Sequence, residues 1–264
     1  MPAPKGTALI TGASTGIGAV YADRLAKRGY DLILVARNEE RLSESAARLK
    51  STGRRIETIL ADLTNKEDVR RIAERLSTDP TITALVNNAG LGSARKLLDE
   101  KIGDLESMIY LNVTALTRLA LAALPGFVAR KNGLLINIAS VVALAPDLLN
   151  GTYSGTKAYV VNFTQALKNE LAGTGVTIQA VLPGATATPF WEKSGRPVED
   201  LPAQMVMTAE DMVDASLAGL DQHELVTIPT LPDVADWEKY EAARKALGPN
   251  LSRRFPAARY SIQN

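Results

Sequence analysis

Tyr153 and Lys157 stand four positions apart, so on a helix they share one face. A phenol in water keeps its proton to about pH 10, too tightly for efficient exchange at neutral pH, and a neighbouring ammonium favours the phenolate. The pair therefore reads as an acid–base device; the alternative is that Tyr153 is ordinary packing with a satisfied hydroxyl. Ser140 falls at the C-terminal end of a predicted strand, where open parallel sheets place their ligands. Its hydroxyl could stabilise negative charge developing on a substrate oxygen, or could simply cap a turn.

A second group of residues suits a phosphate. The first predicted strand ends in Thr11-Gly12-Ala13-Ser14-Thr15-Gly16-Ile17-Gly18, and a helix begins within it. Glycines let the backbone turn sharply and approach a pyrophosphate, whose charge is stabilised by free amides at a helix N-terminus. The glycine spacing departs from the G-x-G-x-x-G fingerprint, and a tightly packed turn that binds nothing is the other reading. The second predicted strand ends in Val35-Ala36-Arg37-Asn38, with a cation where a ribose-binding acid would stand. A guanidinium suits a 2′-phosphate, so NADP(H) is expected over NAD(H) unless Arg37 merely pairs with Glu39, Glu40 or Glu44.

These residues need a scaffold, and 264 residues with 46% apolar side chains suffice for a continuous core. Short apolar runs at 7–10, 32–36, 56–61, 84–86, 134–139, 176–182 and 225–228 read as seven buried strands, with amphipathic segments between them. The alternation predicts an α/β, Rossmann-type doubly wound fold: a seven-stranded, mostly parallel sheet with helices on both faces in one domain over 1–264. Two irregular parts are expected, a substrate lid at about 185–207 and a tail from about 231 that includes a helix over Trp237 to Leu247.

Composition excludes several chemistries. There is no cysteine and a single histidine, His223, so thiolate and imidazole metal sites are not expected, and His223 is given no chemistry. A net charge of +1 offers no general attraction for nucleic acid or anionic lipid. The opening Met1-Pro2-Ala3-Pro4 leaves no room for a secretory signal, and the apolar stretch Leu119 to Ala129 is shorter than the roughly 18 residues of a membrane span. A soluble cytoplasmic protein is expected.

Taken together, the motifs resemble the short-chain dehydrogenase/reductase family in its Thr-Gly-x-x-x-Gly-x-Gly form, over nearly the whole chain. Asp62-Leu63, Asn87-Asn88-Ala89-Gly90, Asn112, Ser140, Tyr153, Lys157 and Pro183-Gly184 follow in the family's order. The resemblance implies that Gly12, Ser14, Thr15, Gly16, Ile17, Gly18, Arg37, Asp62, Leu63, Asn88, Ala89, Gly90, Pro183, Gly184 and Thr188 contact the cofactor, with Asp62 at the adenine and Thr188 at the nicotinamide amide. It implies a catalytic set of Asn112, Ser140, Tyr153 and Lys157. Tyr153 would protonate a carbonyl oxygen as hydride arrives, Lys157 would also bind the nicotinamide ribose, and Asn112 would hold a water linking Lys157 to solvent.

Pro189-Phe190-Trp191 and Met205-Val206-Met207 in the lid, with the uncharged run Val141 to Ala145, favour an apolar small-molecule carbonyl or alcohol substrate whose size the sequence does not give. The apolar segments Leu111 to Leu124 and Val160 to Leu167 lead, by the same resemblance, to a homodimer or homotetramer. Two other functions remain open. One is a 3-oxoacyl carrier-protein reductase, with Arg130 and Lys131 as candidate docking cations; the other is an NADP-sensing regulator without turnover.

Overall fold

The computed structural model describes residues 5–260, so the first four residues, which carry the reading on a secretory signal, lie outside the described residues. Seven strands form one sheet: β1 (Thr7–Thr11), β2 (Asp31–Ala36), β3 (Ile56–Leu60), β4 (Ile82–Asn87), β5 (Gly133–Ile138), β6 (Val176–Val181) and β7 (Val226–Thr227). Their order is β3-β2-β1-β4-β5-β6-β7 and every pairing is parallel, so the sheet expected as mostly parallel is wholly so.

The strand residues alternate between two cores because successive side chains leave a strand on opposite faces. Ala8, Ile10, Leu32, Leu34 and Val86 face one core. It is completed by Tyr21 and Leu25 of α1 (Gly16–Lys27), Leu42 of α2 (Glu39–Leu49), and residues of a later helix, Ala209–Asp221. Leu9, Ile33, Val35, Leu85 and Leu135 face the other core. There they meet α3 (Lys66–Thr78), a long helical run, and the helix Gly151–Glu170. Burial on both faces explains why most strands read as apolar runs; β3, expected to be buried like the others, is an edge strand with Thr58 and Leu60 exposed, because it has a neighbour on one side only.

The long run consists of α4 (Ile102–Ile109), one π-helical stretch at Tyr110–Ala115, and α5 (Leu116–Arg130). Its 29 residues contain an 18-residue window with a mean hydropathy of 1.4, long and apolar enough to cross a membrane, although half of that window is buried within the fold. It exceeds the apolar stretch read from the sequence because isolated polar residues on an outer face do not interrupt a helix. The remaining helices are α6 (Gly151–Glu170), the short α7 (Phe190–Ser194), α8 (Ala209–Asp221) and α9 (Val234–Ala246).

The chain divides into two compact units, 1–229 and 230–264. The second contains α9, in which the Trp237 and Tyr240 rings stack with centroids 5.3 Å apart. Further along the expected tail, one short 3-10 turn stands at Ala258–Tyr260.

Caps set most helix starts. Asn38, Asn65, Asn150, Thr208 and Asp233 each accept a hydrogen bond from a backbone N–H in the first turn of α2, α3, α6, α8 and α9. In contrast α1, which follows the glycine turn, has neither a side-chain cap at Thr15 nor an acid in its first turn.

Where β4 pairs with β5, Asn87 lies opposite Asn137. The Asn87 amide donates to Asn137 Oδ1 at 3.0 Å, and the Asn137 amide donates to the Thr164 hydroxyl of α6 at 3.0 Å. This buried chain ties the sheet centre to the helix that carries Tyr153. Replacing Asn137 by alanine leaves the Asn87 amide with only its 3.4 Å bond to Leu116 O and the Thr164 hydroxyl with only its own donation to Val160 O, and urea unfolding is expected to show a loss of about 1–3 kcal/mol.

Candidate active site

The strand order reverses between β1 and β4, and their C-terminal ends border the crevice expected of such a reversal. Thr11 closes its base. The Thr11 hydroxyl donates to Val86 O at 3.3 Å and accepts from the Asn88 and Ala89 amides, each at 3.0 Å. The Asn88 side-chain amide donates to Thr11 O at 2.9 Å and Gly12 O at 3.2 Å.

Above this join the glycine turn is held open. Gly12 has φ +66°, and a Cβ at Gly18 would overlap the Gly12 carbonyl and stand 2.5 Å from Asn88 Nδ2. Ser45 of α2 donates to Ala13 O at 3.2 Å, which fixes the outer side of the turn. Ser14 and Thr15 lie in the turn, partly exposed, and Ile17 packs against the core. Thr188 stands over Gly16, whose Cβ position lies 2.9 Å from Thr188 Cγ2. An uncapped helix start without an acid, reached through a backbone that side chains would block, is a cradle that fits a pyrophosphate.

Arg37 follows β2, and its guanidinium lies 3.6 Å from the Asp62 carboxylate beyond β3. The sequence offered Glu39, Glu40 or Glu44 as surface partners; the structure instead pairs two residues both expected at the cofactor. Asp62 also accepts from the Thr64 amide at 3.0 Å and hydroxyl at 2.8 Å. Partial burial acts to raise its pKa, but the Thr64 bonds and Arg37 prevail and hold it below the ordinary carboxylate value. The neighbouring Leu63 is buried in the core.

The residues expected at the chemistry converge on α6. Asn150 caps the helix by accepting from the Tyr153 amide at 3.0 Å, and its own amide donates to Arg95 O and to Glu100, each at 3.3 Å. This positioning residue was missed by the motif reading, although an asparagine ahead of Gly151-Thr152-Tyr153 is a cap signal that the sequence carries. Thr156, also missed, donates to Tyr153 O at 2.8 Å and accepts from the Asn112 amide at 3.0 Å.

The Tyr153 ring is buried with Met108 and Val142, and against Leu91, Leu105, Leu149 and Phe190. Burial pushes its phenol up to about 12, while the Ser140 hydroxyl acts in the opposite direction. The expectation of a lowered phenol pKa is thus not met by the chain's own residues. Lys157 Nζ lies 5.8 Å from the ring centroid but donates to Ile138 O at 2.9 Å, and burial lowers it to about 8. Ser140 caps the turn Val141–Ala143 and also donates to Pro183 O at 3.4 Å, so its capping and site placements are compatible.

Asn112 sits in the π-helical stretch and uses its side chain to clamp Leu91, accepting from its amide at 2.9 Å and donating to its carbonyl at 2.8 Å. A Cβ at Gly90 would stand 3.3 Å from Asn112 Oδ1 and 3.5 Å from Lys157 Nζ, which brings these three residues to one spot. Gly184 O accepts from the Thr186 hydroxyl at 3.2 Å at the start of the segment expected as a lid. The arrangement therefore places a protonated phenol, a second hydroxyl and a buried amine beside a phosphate-fitting turn.

A sequence profile described as short chain dehydrogenase matches residues 6–199. Among solved structures the chain is similar to a short-chain dehydrogenase from Sphingobium yanoikuyae in complex with NADPH, with 44% identity, a TM-score of 0.93, and 97% of this chain and 100% of that one covered. It is also similar to the bulky-bulky ketone specific alcohol dehydrogenase from Comamonas testosteroni, with 41% identity, a TM-score of 0.89, and 97% and 98% covered. An uncharacterized oxidoreductase of Staphylococcus epidermidis is 32% identical over 222 residues, 84% of this chain and 93% of that protein.

The buried amine gives a pH signature. Lys157 falls from 10.5 to about 8 on burial, so between these values the unfolded chain binds more protons than the folded one. The stability it contributes is present above 10.5 and lost as pH falls through about 8. Tyr153 has the opposite slope, but only between 10 and about 12. Denaturant melts are expected to show unfolding free energy rising from pH 8 to pH 10 by on the order of 2 kcal/mol, and Lys157→Met is expected to abolish that rise.

Proposed function

The chain belongs to the short chain dehydrogenase family of oxidoreductases, and we propose that it uses NADPH to reduce an apolar ketone or aldehyde to the alcohol. The observation that carries this reading is the convergence of Ser140, Tyr153 and Lys157 beside the uncapped glycine turn, in a site whose tyrosine is surrounded by apolar side chains. The glycine turn and α1 N-terminus would hold the pyrophosphate, and Arg37, with no acid at the end of β2, would hold the 2′-phosphate. The similarity to a dehydrogenase in complex with NADPH supports the same choice.

When bound, NADPH supplies hydride to the carbonyl carbon. Tyr153 gives its hydroxyl proton to the carbonyl oxygen, a role for which a phenol kept protonated by burial is suited. Ser140 donates a hydrogen bond to the same oxygen as charge develops. Lys157, anchored on Ile138 O, would hold the cofactor ribose and return a proton to Tyr153. Asn112 fixes the Leu91 backbone beside Lys157, and we assign to it the water that connects this amine to solvent. The apolar surroundings of Tyr153 favour an uncharged substrate, in keeping with the similarity to an enzyme described as specific for bulky ketones.

A carrier-protein reductase fits less well. Arg130 donates to Ile82 O at 2.9 Å, at the N-terminal end of β4 and so at the end of the sheet opposite to the strand ends that border the site. Homo-oligomerisation finds support in Ile109 and Leu121 of the long helical run, whose side chains are exposed.

Absorbance at the reduced-nicotinamide band, followed with apolar ketones, aldehydes and 3-oxoacyl thioesters, tests the reading. Tyr153→Phe is expected to lose at least about a hundredfold in turnover while NADPH affinity stays within several fold. Arg37→Asp is expected to raise the KM for NADPH by about tenfold or more and that for NADH little. Tight NADPH binding without turnover of any of these compounds would favour the sensing regulator.

A further inference from the structure

Phe190 opens α7 and lies against Tyr153, with ring centroids 5.9 Å apart and planes inclined by 39°. This contact depends on the residue at 92. A Cβ on Gly92 would overlap the Phe190 ring and stand 3.1 Å from Tyr153 Cε2, so a side chain there would drive the two rings apart. The ring thus fills a space next to the reactive phenol that glycine alone leaves open.

The backbone beneath the ring is tied down. Trp191 is buried, meets Phe190 edge-on at 5.8 Å, and donates from its indole to Thr186 O at 2.9 Å. Ser194 donates to Trp191 O at 2.8 Å, and its own carbonyl accepts from the Ala94 amide at 2.9 Å. The two ends of the segment are joined by Ala187 N to Met207 O at 2.8 Å and Met207 N to Ala185 O at 2.9 Å. These bonds hold the backbone of the segment, so the orientation of the Phe190 ring is set by its own side-chain torsions.

We infer that Phe190, seated over Gly92, is the residue that sets the size of the carbonyl compound reaching Tyr153. A ketone with one small group fits beside the ring, whereas a ketone with two large groups requires the ring to turn out of its contacts. The inference rests on the reductase reading. It adds a specificity-determining residue whose effect is steric and falls on substrate binding.

Two measurements on Phe190→Ala and Phe190→Leu test it. The first needs no turnover: nitration of Tyr153 by tetranitromethane, mapped by peptide mass spectrometry, with the exposed Tyr260 as internal reference. Tyr153 is expected to react several-fold faster in Phe190→Ala, with Phe190→Leu between. The second compares an aryl methyl ketone with a diaryl ketone at saturating NADPH. Phe190→Ala is expected to lower the KM for the diaryl ketone by roughly tenfold or more relative to the aryl methyl ketone. Equal nitration in wild type and both variants, or the same change in KM for both ketones, overturns the inference. If no variant and no wild-type protein reduces either ketone although nitration accelerates, the reductase reading fails while the shielding by Phe190 stands.

Discussion

Two neighbouring parallel strands that leave the sheet in opposite directions expose backbone groups that no third strand can pair, and side chains must satisfy them. In this protein that happens where β1 and β4 end, and Thr11 and Asn88 supply the bonds. The join fixes the start of the glycine turn on one side and the loop leading to Gly90 and Leu91 on the other. Asn112 then holds Leu91, and Thr156 holds Asn112, so a continuous set of hydrogen bonds runs from the strand reversal to the helix of Tyr153. Misplacing the join would shift the phosphate cradle and the acid–base residues relative to each other.

Burial shapes the chemistry as much as proximity does. Tyr153 and Lys157 are both shifted towards their neutral forms, the phenol upward and the amine downward, because both charged forms are poorly solvated where they sit. A neutral phenol beside a hydroxyl can donate to an oxygen, and an amine that titrates near 8 can exchange protons close to neutral pH. The apolar surroundings that create these shifts are also unfavourable to any other charged group at the same place.

The helix of Tyr153 and the loops around it are mutually constrained. Asn150 links the start of α6 to the segment at Arg95 and Glu100, and Ala94 in turn binds Ser194 of α7. Gly92, between Leu91 and these contacts, gives Phe190 its seat on Tyr153. The three loops at the strand ends therefore meet through specific hydrogen bonds, two from the Asn150 side chain and one between backbones.

The sequence by itself determined the sheet, since strands buried on both faces must be apolar throughout and the helical segments between them amphipathic. It also determined which residue types could act, because Tyr153, Lys157, Ser140 and the glycine turn have spacings that few other chemistries share. Only the tertiary structure decided that Arg37 meets Asp62, that Asn112 serves Leu91, that Asn150 and Thr156 fix the Tyr153 backbone, and that Phe190 rests over Gly92. It likewise reversed the expected direction of the Tyr153 shift. Local patterns report on neighbours within a few positions, whereas these contacts and the solvation of a phenol depend on distant segments brought together by folding.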